Sequence, residues 1–290
     1  MAIDKVGSQF RLKGIKLIRK TFKLSVAAVM FVVGVYVMLW GIPRDLPTNN
    51  RVADLKAEIA ELEDRFGITV SFALGEEGLP DAWRSPPLSA EASPAAESCM
   101  RQWILLAKRE LGSYRAPVIR SHVSTVHFFR DLTINGITYG GTIFEDELFL
   151  TLDCNGNYTE SYIAKLIHHE LSSVFMHASN FDTNTWSDLN PPGFEYMQSQ
   201  KAIMASIDED TEMTGSEYLF GQGLLADYSR TGVENDFNLY AEVALTEPGR
   251  LQELAERYPR IRQKTALLMK LYDGFLRHDT PTCDVFKCDA

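Results

Sequence analysis

Cysteine is scarce in this chain. Its 290 residues contain four, Cys99, Cys154, Cys283 and Cys288, with no close CxxC pair among them. That spacing excludes a cysteine-built metal site of the finger or ribbon type. Proline is limited to 12 residues and no internal repeat is present. With 45% apolar residues, the length suits one sizeable domain with its own core. Positive charge is also lacking once the first 23 residues are passed. Beyond Lys23 there are 22 Lys/Arg against 38 Asp/Glu, a net charge of −16. An acidic surface of that kind repels polyphosphate backbones, so nucleic acid is excluded as a partner.

Residues 24–42, LSVAAVMFVVGVYVMLWGI, lack charge altogether. At about 1.5 Å per residue they span roughly 28 Å, close to a bilayer core. Seven cations precede them, Lys5, Arg11, Lys13, Lys16, Arg19, Lys20 and Lys23, opposed only by Asp4. The positive-inside rule then keeps the head in the cytoplasm and exports the rest, and Trp40 suits the exit interface. No small-x-small site closes the run and it exceeds the h-region of a signal peptide, so an uncleaved signal anchor is expected. No cysteine lies near its end, which argues against a lipoprotein. The expected location is a bacterial inner membrane, crossed once, with the folded domain periplasmic. In that oxidising compartment an even number of cysteines suggests at least one disulfide, either Cys283–Cys288 or a bond from the C-terminal tail to Cys99 or Cys154.

Five segments follow: a basic head (1–23), the anchor (24–42), a linker helix (43–67), an extracytoplasmic domain (68–276) and a cysteine-containing tail (277–290). In the linker, Leu55, Ile59, Leu62 and Phe66 form one helical stripe, suited to a spacer that lifts the domain off the membrane. Residues 68–73 read as a strand and 75–97, rich in Gly, Pro, Ala, Ser and Glu, as an exposed loop. Residues 98–112 return to helical spacing. Strand patterns cover 122–129, 137–144 and 147–153, with hairpin turns at Asn135-Gly136 and Glu145-Asp146. Everything after 156 is helical. A mixed or antiparallel sheet followed by helices defines an α+β layout.

The helix predicted over 158–178 carries the chemistry. Asn157 is its expected N-cap, with Glu160 as capping-box partner. Ile163, Leu166, Ile167, Leu171 and Val174 form an apolar stripe, and Glu170 falls inside it. A buried carboxylate needs a cation or a metal-bound partner. His169, Ser173 and His177 follow one another at intervals of four along the stripe's edge. In H-E-x-x-H helices two histidines one turn apart bind zinc and the glutamate polarises the bound water. Here the string is His168-His169-Glu170-Leu171-Ser172-Ser173, and Ser173, a weak zinc ligand, holds the second histidine's place. His177 could substitute only if the helix end bends. His168 points about 100° from His169 and reads as a surface residue. His122 and His127 read as structural.

From 137 to 272 the sequence resembles the gluzincin metallopeptidases, and within them the zinc-binding metallopeptidases of bacterial envelopes. The resemblance rests on Gly140-Gly141-Thr142, on Leu166-Ile-His-His-Glu170, on GQGLLADYSRTGVENDFNLYAE (221–242) and on a helix at 251–272. It implies a zincin-like fold and zinc-dependent hydrolysis of peptide bonds. It implies that His169 is the first zinc ligand, Glu170 the general base, and Glu234 the third ligand, with Glu242 as the alternative. It implies that Tyr228 stabilises the oxyanion, and that substrate adds to the edge strand near 140–144. The other reading is a catalytically inactive zincin-fold pseudopeptidase that binds a peptide or protein of the envelope.

Overall fold

In the computed structural model, residues 48–152, 158–197 and 215–288 are described. The basic head, the expected anchor at 24–42, Cys154 and Asn157 lie outside them, as does the side chain of Cys99. Among the described residues no helix is long and apolar enough to cross a membrane.

Helix α1 (Thr48–Phe66) leads into strand β1 (Thr69–Ser71). The stripe of Leu55, Ile59, Leu62 and Phe66 is fully used, because all four side chains lie in the main core. This helix is part of the domain, not a spacer. Strand β2 (Ala90–Pro94) and helices α2 (Glu97–Leu111) and α3 (Ala116–His122) follow. Strands β3 (Thr125–Ile134), β4 (Ile137–Thr138), β5 (Gly141–Phe144) and β6 (Glu147–Thr151) complete the sheet. The sheet runs β1-β3-β6-β5, with β2 and β4 also paired to β3. β1 and β6 are parallel to β3, whereas β5 is antiparallel to β6 and forms the sheet edge. The fold is therefore α+β with a mixed sheet.

Both hairpins occur where the sequence places them. Asn135 and Gly136 adopt φ of 53° and 75°, and Glu145 turns at φ 56°. The predicted strand at 122–129 is displaced, however. Pro117 in the first turn of α3 starts a helix that ends at His122, and β3 begins only at Thr125. The strand continues through Arg130-Asp131 past a register shift against β2, which turns the fully buried Leu132 to the same face as Phe129.

Alternation along β3 and β6 also corrects the expected loop at 75–97. Val126, Phe128, Leu148 and Leu150 face the helical core. Phe129 and Phe149 face the other way, and His127 stacks on Phe149 at 4.5 Å. That second face must also be covered, and Leu79, Trp83 and Ala90 cover it. The Gly- and Pro-rich stretch thus folds as a lid on the sheet and supplies β2.

Helix α4 (Glu160–Ala178) crosses the other face. Its N-cap is Thr159, whose hydroxyl accepts from the Tyr162 N–H at 3.1 Å, not Asn157. After α5 (Thr183–Ser187) and α6 (Glu217–Gln222), a 3-10 turn (Asp227–Thr231) enters α7 (Val233–Thr246). Helices α8 (Pro248–Arg257), α9 (Pro259–Tyr272) and α10 (Pro281–Phe286) close the domain. The tail is not free: Cys283 is buried and is disulfide-bonded to Cys288.

Candidate functional site

Helix α4 is buried almost all round. Besides the expected stripe, His168, Ser172, Phe175 and Met176 are inside. His168 is therefore not a surface residue. It is fully buried, with Nδ1 2.8 Å from the Tyr114 hydroxyl and Nε2 3.0 Å from Glu110 Oε2. The back of the helix is not solvated, because α2 covers it.

The opposite side of α4 meets α7 along an antiparallel ladder of polar rungs. His169 Nδ1 lies 2.5 Å from Glu242 Oε1. One turn on, Asn238 Nδ2 donates to Ser173 Oγ at 2.8 Å. One turn further, His177 Nε2 lies 3.4 Å from Glu234 Oε1. Lys165 and Glu247 extend the row at the other end, at 2.8 Å. Intervals of four bring the first three pairs onto facing edges, and Glu247 follows five residues after Glu242, just past the end of α7. Asn238 was missed in the sequence. Its spacing from Glu234 and Glu242 signals its place once α4 and α7 are known to be antiparallel.

Glu170 projects beside the ladder towards the sheet edge. It is 6% exposed and makes no hydrogen bond or ion pair among the described residues. Burial pushes its carboxyl up to about 7; the His169 charge opposes this, while Glu234 and Glu242 add to it. For His169, burial favours the neutral ring. The hydrogen bond and charge of Glu242, with Glu170 and Glu234, outweigh that and hold it up at about 8. Tyr228, from the 3-10 turn, has its ring 6.0 Å from His169. Burial raises its phenol well above the ordinary range, and Glu170, Glu242, Tyr139 and Tyr162 push the same way. His169, Glu170, Tyr228 and Glu242 thus lie together beside the sheet edge, and Glu234 stands further out with His177.

The edge strand approaches α4 closely enough to require glycine. A Cβ on Gly141 would meet Glu170 Oε1 at 2.8 Å and Cγ at 2.9 Å, and one on Gly140 would meet the Tyr162 hydroxyl at 2.5 Å. Gly141→Ala is expected to cost about 1–3 kcal/mol, the usual range for overpacking. In a Glu170→Ala background the cost should shrink, since two of the three nearest atoms belong to Glu170. Equal thermal shifts in both backgrounds would show that the contact is not the cause.

The residues present do not fit a zinc site. Among the described residues no three His, Cys, Asp or Glu side chains are grouped to hold a metal ion. Where the second imidazole would stand, Ser173 is 3% exposed and occupied with Asn238, and neither offers an anionic or imidazole donor. Glu234 opposes His177 at the exposed end instead of closing on His169.

No protein-family model and no curated protein matches the chain. Among solved structures, it matches a candidate zinc-binding metallo-peptidase from Bacteroides caccae at 13% identity. The match covers 79% of this chain and 87% of that one, with a TM-score of 0.47.

Proposed function

We propose that this domain is a metal-independent peptide-binding module, a pseudopeptidase that keeps a zincin-like helix pair without the ligands for zinc. The observation that carries this reading is the buried Ser173–Asn238 hydrogen bond in the place of the second imidazole. A neutral rung and an imidazole–carboxylate rung hold the two helices together without a metal. The recess beside them remains suited to a strand laid along β5, whose outer edge has no partner among the described strands. Backbone hydrogen bonds to an open edge supply affinity in such complexes. In the same proposal, residues 24–42 hold the domain at the periplasmic face of the inner membrane, where its partner is an envelope peptide or protein.

Zinc binding tests this directly. The detergent-solubilised full-length chain, dialysed against chelator and then exposed to micromolar zinc, is expected to retain less than one equivalent. Restoring the imidazole by Ser173→His, with Asn238→Ala to make room, should raise zinc affinity by at least about tenfold, as an added first-sphere donor does. Stoichiometric zinc in the wild-type chain, together with peptide hydrolysis that Glu170→Gln abolishes, would establish the hydrolase instead.

A further inference from the structure

Among the described residues, the recess beside β5 leaves one buried group without a partner. Glu170 is nine-tenths buried, and among the described residues the neighbouring cations are engaged elsewhere: His169 with Glu242, His177 with Glu234, Lys165 with Glu247. We infer that the recess takes a cationic nitrogen, the ammonium of a lysine side chain or of a free amino terminus, carried by a peptide extended along β5. The inference rests on the peptide-binding reading and names the chemistry that reading requires at its centre.

Three observations on this site point the same way. First, Glu170 sits against the sheet edge itself. The space a Gly141 Cβ would occupy lies 2.8 Å from Glu170 Oε1, so a strand added to β5 passes within reach of the carboxyl. A group projecting from that strand towards α4 meets Glu170. An ammonium there would supply the charge-assisted partner that a buried carboxylate requires. An apolar group would leave it unpaired, and a carboxylate would face Glu170 and Glu242 together.

Second, the walls are phenolic. Tyr228 stands 6.0 Å from the His169 ring, and the Tyr162 hydroxyl lies 2.5 Å from the Cβ position of Gly140. Tyr139 and Tyr162 both act electrostatically on Tyr228, as do Glu170 and Glu242, so all four stand near it. Tyr139, Tyr162, Tyr228 and His169 are all partly exposed, which leaves the recess open from outside. Ring faces beside carboxylates suit an ammonium, because the ring quadrupole attracts cations. Third, the charge balance favours a cation. Glu170, Glu234 and Glu242 face His169 and the half-exposed His177, and the chain beyond Lys23 carries −16. A field of that sign draws cationic peptides in.

The test uses the detergent-solubilised full-length chain and fluorescein-labelled hexapeptide mixtures of randomised sequence, read by fluorescence anisotropy. One mixture has a fixed central lysine and an acetylated amino terminus. A second has glutamine at that position and is also acetylated. The third has glutamine and a free amino terminus, with the label at the other end. The lysine mixture or the free-amino mixture is expected to bind about ten- to a hundredfold more tightly than the acetylated glutamine mixture, the range for a hydrogen bond to a charged group. Whichever of the two gains identifies the source of the ammonium. Glu170→Gln should erase the preference while the glutamine peptides bind as before. Equal binding of charged and neutral mixtures, or a preference that survives Glu170→Gln, would overturn the inference and leave strand binding intact. If no mixture binds, strand binding falls, and n-butylammonium chloride decides the cation site alone. A rise in thermal midpoint seen in the wild-type chain and absent in Glu170→Gln supports the site, and equal responses of the two chains overturn it.

Discussion

Glu170→Gln is expected to make the protein more stable at pH 8 and to remove most of its loss of stability between pH 4.5 and 7. The folded carboxyl is raised from 4.5 to about 7, chiefly by burial, so the native state binds a proton more tightly than the unfolded chain. Stability from this group is complete below about pH 4.5 and is lost as pH rises through 7. The shift corresponds to about 3 kcal/mol at the upper limit. His169 acts in the same direction in a higher window. Its folded value, held at about 8 by Glu242 against burial, gives stability that is complete below 6.5 and lost as pH rises through 8. The wild-type chain therefore pays twice on going alkaline, and the glutamine variant only once. Urea unfolding of both proteins from pH 4.5 to 9, compared as a difference at each pH, isolates the Glu170 contribution. Difference curves that stay flat across pH 4.5–7 would show that Glu170 is not buried as an acid.

The largest loss of stability is expected from Asp236→Ala, on the face of α7 turned away from α4. Asp236 and Lys264 are both completely buried and 2.6 Å apart. Asp236 Oδ2 also accepts from Trp186 Nε1 and from the Tyr196 hydroxyl, each at 2.8 Å. Lys264 Nζ donates further to Asn190 Oδ1 and to the Gly223 carbonyl, at 2.7 and 3.0 Å. Burial pulls the Lys264 ammonium below its ordinary range, and Asp236 counters this. Removing the carboxylate strands a charge in the core and orphans two donors, at a cost of about 3–5 kcal/mol. Replacing both partners with apolar residues, Asp236→Leu with Lys264→Met, should cost less than Asp236→Ala alone, because no buried charge is then left unpaired. Denaturant midpoints of the single and double variants decide it. A double variant less stable than Asp236→Ala would mean that the cluster contributes more than charge compensation. Since this network fixes α7 from behind, the single variant should also loosen the ladder to α4. That would appear as weaker peptide binding under conditions where the variant is still folded.

Much of the architecture could be read from local pattern. The stripe of Leu55, Ile59, Leu62 and Phe66, the turns at Asn135-Gly136 and Glu145-Asp146, and the apolar row of α4 depend on residues within one or two turns of each other. Their side chains sit where the periodicity requires. The oddity of Glu170 was equally legible, since a carboxylate inside an apolar stripe stands out in one dimension. The missing second histidine at Ser173 was visible for the same reason. Lys264 carried a similar signal in the last long helix, but its partner Asp236 lies 28 residues away and nothing local links them.

What only tertiary structure decided is who faces whom. Periodicity states that a helix has faces; it does not state how many of them are covered. His168 read as exposed because one stripe of α4 was enough to explain its sequence, yet α2 buries the back with Tyr114 and Glu110. The segment at 75–97 read as loop because its composition is that of loops, yet the second face of the sheet needs Leu79 and Trp83. The rungs Ser173–Asn238 and His169–Glu242 join residues 65 and 73 positions apart. Local pattern singled out His169 and Glu170, and the family resemblance implied Tyr228, Glu234 and Glu242. The antiparallel register of α4 and α7 then paired Glu242 with His169, sent Glu234 to His177 and filled the place of the missing imidazole with Asn238. Such pairing depends on contacts made only once the intervening chain has folded, whereas a stripe or a turn is set by neighbours already joined through the backbone.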